Sequence, residues 1–265
     1  MFDKTKPIYS SVDLQHRLKN FFPASSNADL HPDLMLHVAD QYPDALTNLS
    51  NFINGAVPRM HIDDFNKESK IADELFDLFA VYGTDKGEHK YHLIYGEIIS
   101  QLGINRPLEI IEIGIGSQNT SVVSHMSTRY NPGAALRAFR DLAPYSRIYG
   151  ADIDPQVLFN EDRIQTELVD QMNPNSFEEM TNKLPTDQFD LIIDDGLHAI
   201  TPNLNTLLFG LQHIKEGGWI VIEDIWNGIV CWDTIYHLIP ERLYDKYLIH
   251  FDINKRVFVI RKNPV

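Results

Sequence analysis

Two apolar segments of this sequence end in ionisable side chains that are able to do chemistry. The segments are 189–193 and 219–222, and each has the composition of a short strand buried on both faces. Neighbouring parallel strands lie about 4.8 Å apart, and open α/β sheets bind their ligands at the carboxyl ends of the strands. The pattern therefore predicts one small ligand site that is made of Asp195, His198, Glu223 and Asp224.

A third apolar segment leads into a glycine-rich turn. Residues 107–113 predict a strand, Gly114 and Gly116 follow it, and a helix is expected to begin at Thr120. This order is typical of a nucleotide-type pocket, because glycines let a ligand approach the backbone and a helix N-terminus offers free N–H groups. The third glycine of the dinucleotide fingerprint is missing, which argues against NAD.

An acidic residue ends the next predicted strand, 147–152. Asp152 suits a ribose, because a carboxylate accepts hydrogen bonds from both hydroxyls. Asp154 is the competing residue, although an N-cap position before Pro155 suits it better. The separation from the glycine turn exceeds the roughly 20 residues of the simple case, so we expect segment 124–144 to lie over or beside the pocket.

The strand predicted at 164–169 ends in a carboxylate and an amide. Asp170 and Gln171 are able to read an adenine edge, with Asp170 accepting from the amino group. A solvated loop accounts for the same two residues, and the sequence leaves both interpretations open.

The order of the predicted elements indicates the fold class. Five β/α units are followed by strands at 247–252 and 256–261, which the tight turn 253–255 joins into a hairpin. The expected fold is α/β, with a doubly wound, mostly parallel sheet of seven strands and an antiparallel C-terminal hairpin.

The N-terminal part of the chain is predicted to be a separate helical arm or cap. Prolines interrupt residues 1–70, and short helices are expected at 11–22, 33–41 and 43–52. Residues 71–265 would form the main domain. A substrate lid built partly from the arm is the alternative interpretation.

Bulk properties exclude several function classes. The net charge of -14 argues against a nucleic-acid partner, whose phosphates favour a basic surface. Cys231 is the only cysteine, which excludes an intramolecular disulfide and a cysteine-rich zinc site. The N-terminus lacks the apolar core of a signal peptide, and no apolar run approaches the ~20 residues of a membrane span. We therefore expect a soluble, cytoplasmic protein without a membrane partner.

Seven motifs occur in an order that resembles a known family. They are Gly83–Gly87, Glu112–Gly116, Pro132–Arg137, Tyr149–Asp154, Asp170–Gln171, Asp194–His198 and Ile222–Asp224. Together they resemble the class I S-adenosylmethionine-dependent methyltransferases, and more narrowly the metal-dependent sugar O-methyltransferases of macrolide biosynthesis. The resemblance extends from about residue 71 to the C-terminus and implies a Rossmann-like sheet.

The resemblance implies a cofactor site for S-adenosylmethionine. Gly114 and Gly116 would pass beneath the methionine part, with Glu112 orienting the loop, and Asp152 would hold the ribose. The remaining cofactor-binding residues would be Asp170 and Gln171 at the adenine end, Thr84 and Lys86 over the cofactor carboxylate, and Asp194.

The resemblance also implies a metal site and a base. Asp195, Glu223 and Asp224 would hold Mg2+, and His198 would remove the proton from the acceptor hydroxyl. Three carboxylates without a thiolate suit a hard ion, so Mn2+ or Ca2+ would also bind, and without a cation they would repel one another. A histidine has a reference pKa of about 6.5, which suits a general base near neutral pH. The implied reaction is methylation of a hydroxyl on a sugar or another polyol-bearing small molecule, as in natural-product biosynthesis.

Two alternative functions and one assembly state accompany this interpretation. Leu197 stands where the family more often has a small polar residue, which leaves the chemistry intact. The N-terminal region is specific to this chain, and this leaves the acceptor open. His198 would be a metal ligand in a different reaction if the chain belonged to the cephalosporin hydroxylase-like branch. The other alternative is a non-catalytic cofactor-binding subunit. A homo-oligomer that is stabilised by the N-terminal arm is also expected.

Overall fold

A computed structural model describes residues 32–66, 70–226, 231–251 and 255–264. Its elements, in chain order, are α1 (Pro32–Asn54), β1 (Arg59–His61), α2 (Ile62–Phe65), α3 (Lys70–Tyr82), α4 (Tyr91–Leu102), β2 (Glu109–Ile113), α5 (Ala134–Leu142), β3 (Arg147–Asp152), β4 (Asn160–Glu161), β5 (Ile164–Leu168), α6 (Pro174–Thr181), β6 (Phe189–Asp194), α7 (Ile200–His213), β7 (Ile214–Trp226), α8 (Cys231–Leu238), β8 (Tyr244–His250) and β9 (Lys255–Lys262). The helix predicted at 11–22 and most of the hairpin turn at 253–255 lie outside the described residues.

The strands form one mixed sheet in the order β1-β8-β9-β7-β6-β2-β3-β5-β4. The central strands β7, β6, β2, β3 and β5 are parallel to one another, whereas β9 pairs antiparallel with both β7 and β8, and β4 pairs antiparallel with β5. This confirms the α/β fold with a C-terminal hairpin. The sheet gains two edge strands, β1 and β4, whose three and two residues are too short to show an alternating pattern.

Helices cover both faces of the sheet. On one face, Trp219 and Val221 of β7 belong to a buried cluster that includes residues of α3, α4 and α5. On the other face, α7 packs closely on β7: a Cβ added to Gly210 would lie 2.9 Å from the Cδ1 atom of Ile220. The sheet is therefore doubly wound, and its central strands are buried on both sides as predicted.

The prediction that a helix begins at Thr120 is wrong. The chain after the glycine turn makes a series of turns, and α5 begins only at Ala134. Short polar side chains compete with helical hydrogen bonding in this segment: Ser117 Oγ accepts from Asn119 N at 3.0 Å, and Asn119 Oδ1 accepts from Ser121 N at 3.0 Å.

The described chain divides into two compact units. One consists of residues up to Val57 together with Ile229–Leu238, and the other of Pro58–Gly228 and Ile239–Val265. In the first unit, α1 packs on α8, where Ser50 Oγ lies 2.8 Å from His237 Nδ1. The two short helices predicted at 33–41 and 43–52 are one continuous helix with Pro43 inside it, since a proline removes a single hydrogen-bond donor.

The predicted arm of residues 1–70 stays a prediction, because 1–31 and 67–69 lie outside the described part of the chain. Among the described helices, none is both long and apolar enough to cross a membrane.

Candidate active site

The sheet brings the predicted strand ends to one edge. Ile113 of β2 pairs with Asp194 of β6, and Asp194 pairs with Ile222 of β7, so the three strands end side by side. His198 follows β6, and Asp224 lies near the end of β7, where the pairing with β9 is irregular between Ile222 and Ile225. Both residues have left-handed backbone conformations, with φ of 53° and 52°. Such conformations are uncommon outside glycine and concentrate at functional sites.

The side chains of Asp195, His198 and Asp224 direct potential metal-ligand atoms toward one another. His198 Nε2 lies 3.8 Å from Asp195 Oδ1 and 3.9 Å from Asp224 Oδ2. The nearest ligand atoms of all three lie within 4.8 Å of one another. Two carboxylate oxygens and an imidazole nitrogen at this separation form a donor set that a divalent cation fits.

Each of these two carboxylates uses its other oxygen internally. Asp195 Oδ2 accepts from Lys86 Nζ at 2.7 Å. Asp224 Oδ1 accepts from the Tyr91 hydroxyl at 2.5 Å and lies 3.0 Å from Lys255 Nζ. The internal donors therefore fix the rotation of each carboxylate, so that the remaining oxygen faces His198.

Glu223 is oriented differently. Its side chain is buried, and Oε1 and Oε2 lie 2.8 and 2.7 Å from Lys86 Nζ. The hydroxyl of Tyr95 also donates to Oε1. The structure thus places Glu223 against Lys86 and not against His198. Its role as a metal ligand stays a prediction.

Lys86 lies among carboxylates. Besides Asp195 and Glu223, its ammonium lies 3.2 Å from Glu112 Oε1. Burial alone would lower the pKa of Lys86, but the charges of Asp195, Glu223 and Glu112 outweigh burial and raise that pKa well above its usual value. Burial raises the pKa of Glu112 to about 7, against the opposing charge of Lys86. The three carboxylates therefore favour the charged form of Lys86.

A cavity of about 370 Å3 lies over the glycine turn. Its lining includes Gly114, Gly116, Asp152, Asp170 and Gln171, all of which the sequence assigned to the cofactor. The volume falls within the range of small-molecule pockets.

Asp152 and Asp154 shape the turn beneath this cavity. Asp152 Oδ2 accepts from Ile115 N at 3.0 Å, and Asp154 Oδ2 accepts from Ser117 Oγ at 2.6 Å. Asp154 also caps the short 3-10 helix Pro155–Val157 by accepting from Gln156 N, which confirms the predicted N-cap.

Gln171 turns toward the loop after β6. Its Nε2 donates to Asp194 Oδ1 at 2.8 Å, and its Oε1 accepts from Leu197 N at 2.8 Å. Asp194 is fully buried and also accepts a hydrogen bond from Asn203 Nδ2. It lines neither the cavity over the glycine turn nor the cavity around the carboxylate cluster that is described below. The structure therefore places Gln171 and Asp194 as supports of the loop that carries Asp195 and His198.

A second cavity of about 260 Å3 contains the carboxylate cluster. Among its lining residues are Thr84, Lys86, Glu112, Asp195, His198, Glu223 and Asp224. It shares Gly114, Gly116, Ser124 and Asp195 with the first cavity. The two cavities thus meet at the glycine turn and at Asp195.

Sequence reasoning missed the two tyrosines that hold the strand-end carboxylates. Tyr91 and Tyr95 lie four residues apart on α4, which places both hydroxyls on one face of the helix. The spacing was the available signal, but nothing in the sequence showed which elements pack against that face of α4. Lys255 on β9 was missed for the same reason.

The comparisons with known proteins agree with this architecture. Residues 127–225 match a family model that is described as a methyltransferase domain. A solved structure of MycE methyltransferase from the mycinamycin biosynthetic pathway, in complex with Mg, SAH and mycinamycin VI, superposes with a TM-score of 0.57 at 24% identity. The superposition covers 72% of this chain and 54% of that one. The chain therefore has the fold of that methyltransferase, and residues 127–225 are similar to a methyltransferase domain.

Two curated relatives make the resemblance more specific. Demethylmacrocin O-methyltransferase of Streptomyces fradiae is 32% identical over 125 residues, which are 47% of this chain and 29% of that protein. Mycinamicin VI 2''-O-methyltransferase of Micromonospora griseorubida is 31% identical over 125 residues, with the same coverage of 47% and 29%. The resemblance to the macrolide sugar O-methyltransferases is confirmed. The chain matches about a third of the length of such relatives, between 29% and 37%.

Proposed function

We propose that this protein is an S-adenosylmethionine-dependent and Mg2+-dependent O-methyltransferase. Its acceptor would be a hydroxyl on a sugar or another polyol-bearing small molecule. The observation that carries the proposal is the meeting of the two cavities at Gly114 and Asp195. A donor over the glycine turn would face an acceptor held beside the carboxylate cluster.

The larger cavity fits the cofactor. Gly114 and Gly116 form part of its lining, and both have positive φ, which favours glycine. Asp152 keeps lone pairs for a ribose beyond those that bind the turn, because a carboxylate has about four acceptor sites. Asp170 lines the same cavity, in a position to accept from an amino group.

The smaller cavity fits a hard divalent cation. Asp195 Oδ1 and Asp224 Oδ2 would hold it, next to His198 Nε2. When bound, the cation would lower the pKa of the acceptor hydroxyl and the cofactor would supply an activated methyl group. Relatives named as O-methyltransferases and a fold neighbour solved in complex with Mg and SAH support both assignments.

His198 would act as the general base. Its Nε2 faces the space between Asp195 and Asp224, so a hydroxyl in that space would lie within reach of the imidazole. The two carboxylates would stabilise the imidazolium that forms. Proton removal of this kind typically contributes about 100- to 10,000-fold to the rate.

The test compares two histidines that line the same cavity. His198→Ala should retain S-adenosylhomocysteine binding in calorimetry and lose at least about 100-fold in turnover on a panel of glycosylated acceptors. His125→Ala is the matched control, because His125 lines that cavity but is exposed and bonds only Val122 O among the described residues. EDTA should abolish turnover, and Mg2+ should restore it. Turnover that survives EDTA would contradict metal dependence.

The second candidate function makes His198 a metal ligand in a different reaction. The separation of its Nε2 from Asp195 and Asp224 favours this candidate. The same variant discriminates the two: His198→Ala should leave Mn2+ affinity near wild type if His198 is a base and should weaken it at least tenfold if His198 is a ligand. Iron in the purified protein, with oxygen consumption, would support the cephalosporin hydroxylase-like reaction.

Tight S-adenosylhomocysteine binding without turnover on any acceptor would support a non-catalytic subunit. The cytoplasmic location and the homo-oligomeric state stay predictions.

A further inference from the structure

The segment after the glycine turn passes from the larger cavity to the smaller one. It leaves the turn at Ser117 and returns to it at Met126, whose N–H donates to Ser117 O at 2.7 Å. Its earlier residues, including Val123, line only the larger cavity over the turn. Ser124 lines both cavities, and Met126 lines only the smaller cavity around the carboxylate cluster. The segment therefore spans the junction of the two cavities.

The side chain of Met126 packs on Gly116, a residue that lines both cavities. A Cβ added to Gly116 would lie 2.6 Å from Met126 Sδ and 3.0 Å from Met126 Cε. The thioether therefore occupies the space directly beside the backbone of the turn. Because Met126 lines the smaller cavity and not the larger one, its end forms a wall on the acceptor side of the junction.

This wall is an accessible apolar surface in a polar cavity. Most of the side chains that line the smaller cavity are charged or polar. Its other aliphatic side chains belong to Ile115, Ala134 and Ala135, which are all buried, whereas Met126 is half-buried. A methionine thioether is polarizable and adapts its shape to neighbouring groups. Met126 therefore suits contact with a small alkyl group at the junction.

We propose that Met126 is the wall against which the sulfonium methyl of S-adenosylmethionine packs when the cofactor lies over the glycine turn. The inference rests on the cofactor assignment of the proposed function. S-adenosylhomocysteine lacks that methyl group, so Met126 would contribute to the binding of S-adenosylmethionine and not to that of S-adenosylhomocysteine. The contact would also limit how far the methyl swings away from an acceptor in the smaller cavity.

The test measures binding of both ligands to the purified full chain by calorimetry, without turnover. Met126→Ala should bind S-adenosylhomocysteine as wild type does and S-adenosylmethionine about fourfold more weakly, because a methyl-sized apolar contact is lost. Met126→Leu conserves volume and should stay within about twofold of wild type for both ligands. Met172→Ala is the matched control, since Met172 is exposed and lines only the larger cavity. It should change both affinities by the same factor.

Wild-type affinity of Met126→Ala for both ligands would overturn the inference. An equal loss of affinity for both ligands would overturn it as well, because a residue that merely supports the turn affects the whole cofactor site.

A double variant checks the contact between Met126 and the turn. Gly116→Ala should weaken S-adenosylhomocysteine binding, because its Cβ meets the thioether and its φ of +88° is strained for alanine. Gly116→Ala with Met126→Ala should bind S-adenosylhomocysteine more tightly than Gly116→Ala alone, since the thioether is gone. Equal affinities of the single and double variants would contradict the close approach on which the inference depends.

Turnover separates this inference from the proposed function. If wild type methylates no glycosylated acceptor while Met126→Ala still loses affinity for S-adenosylmethionine alone, the proposed acceptor class fails and the role of Met126 stands. If wild type methylates such an acceptor and Met126→Ala binds both ligands as wild type does, the proposed function stands and the role of Met126 is refuted. A wild-type protein that binds neither ligand would refute both.

Discussion

Replacing Gly114 by alanine tests how closely the glycine turn of β2 approaches the loop after β6. Gly114 has φ of +92°, and a Cβ there would lie 2.3 Å from the carbonyl oxygen of Asp195 and 2.6 Å from Gly196 Cα. Both contacts are far inside van der Waals distance and involve backbone atoms. The change therefore cannot be absorbed by rotating a flexible side chain.

Gly217 provides the matched control. Its φ is +75°, and a Cβ added there would meet nothing within 4 Å. Gly217→Ala should cost only the unfavourable backbone conformation, about 1–2 kcal/mol. Gly114→Ala adds overpacking of about 1–3 kcal/mol to a similar backbone term, for a total of about 2–5 kcal/mol.

Urea unfolding of both variants measures the difference, and calorimetry with S-adenosylhomocysteine measures the consequence for the cavity. We expect Gly114→Ala to be the less stable variant and to bind at least tenfold more weakly, because the added methyl displaces the turn or Asp195. Equal losses of stability in the two variants would refute the close approach. Wild-type binding by Gly114→Ala would refute the placement of the cofactor over the turn.

Three further predictions concern the surroundings of the site and the outer surface. Tyr95→Phe removes a donor to the buried Glu223 and should lower the free energy of unfolding by about 1–3 kcal/mol in urea titrations. Gln171→Leu leaves a buried carboxylate at the end of β6 with one donor fewer and should cost about 1–3 kcal/mol. It should also weaken Mn2+ binding, and an unchanged Mn2+ affinity would show that the loop does not need this support. The hydrogen bond from Arg137 lowers the pKa of Glu161 from its ordinary value of 4.5, so its stabilising contribution is present above that pH and is lost as pH falls through the folded-state pKa. The difference in melting temperature between wild type and Glu161→Gln should accordingly disappear in acid, and a difference that persists below both pKa values would contradict this origin.

Local pattern was sufficient for the central strands and their ends. Segment 219–222 is continuously apolar and segment 189–193 is apolar except for Asp190, which predicts burial on both faces, and both segments are buried in the sheet. Because neighbouring parallel strands end at the same edge, the convergence of Asp195, His198 and Asp224 followed from the sequence as well. The prediction of a helix from Thr120 was wrong, because side-chain hydrogen bonds of Ser117 and Asn119 compete with helix formation.

The sequence by itself determined which residue types reach the sheet edge, because strand burial and strand ends depend on neighbours along the chain. Only the tertiary structure decided which oxygen of each carboxylate is free. Lys86 is separated by 109 residues from Asp195 and by 137 from Glu223, and Tyr91 by 133 from Asp224. Hydrogen bonds over such separations depend on how α3 and α4 pack on the sheet, and that packing leaves no periodic signal in the sequence.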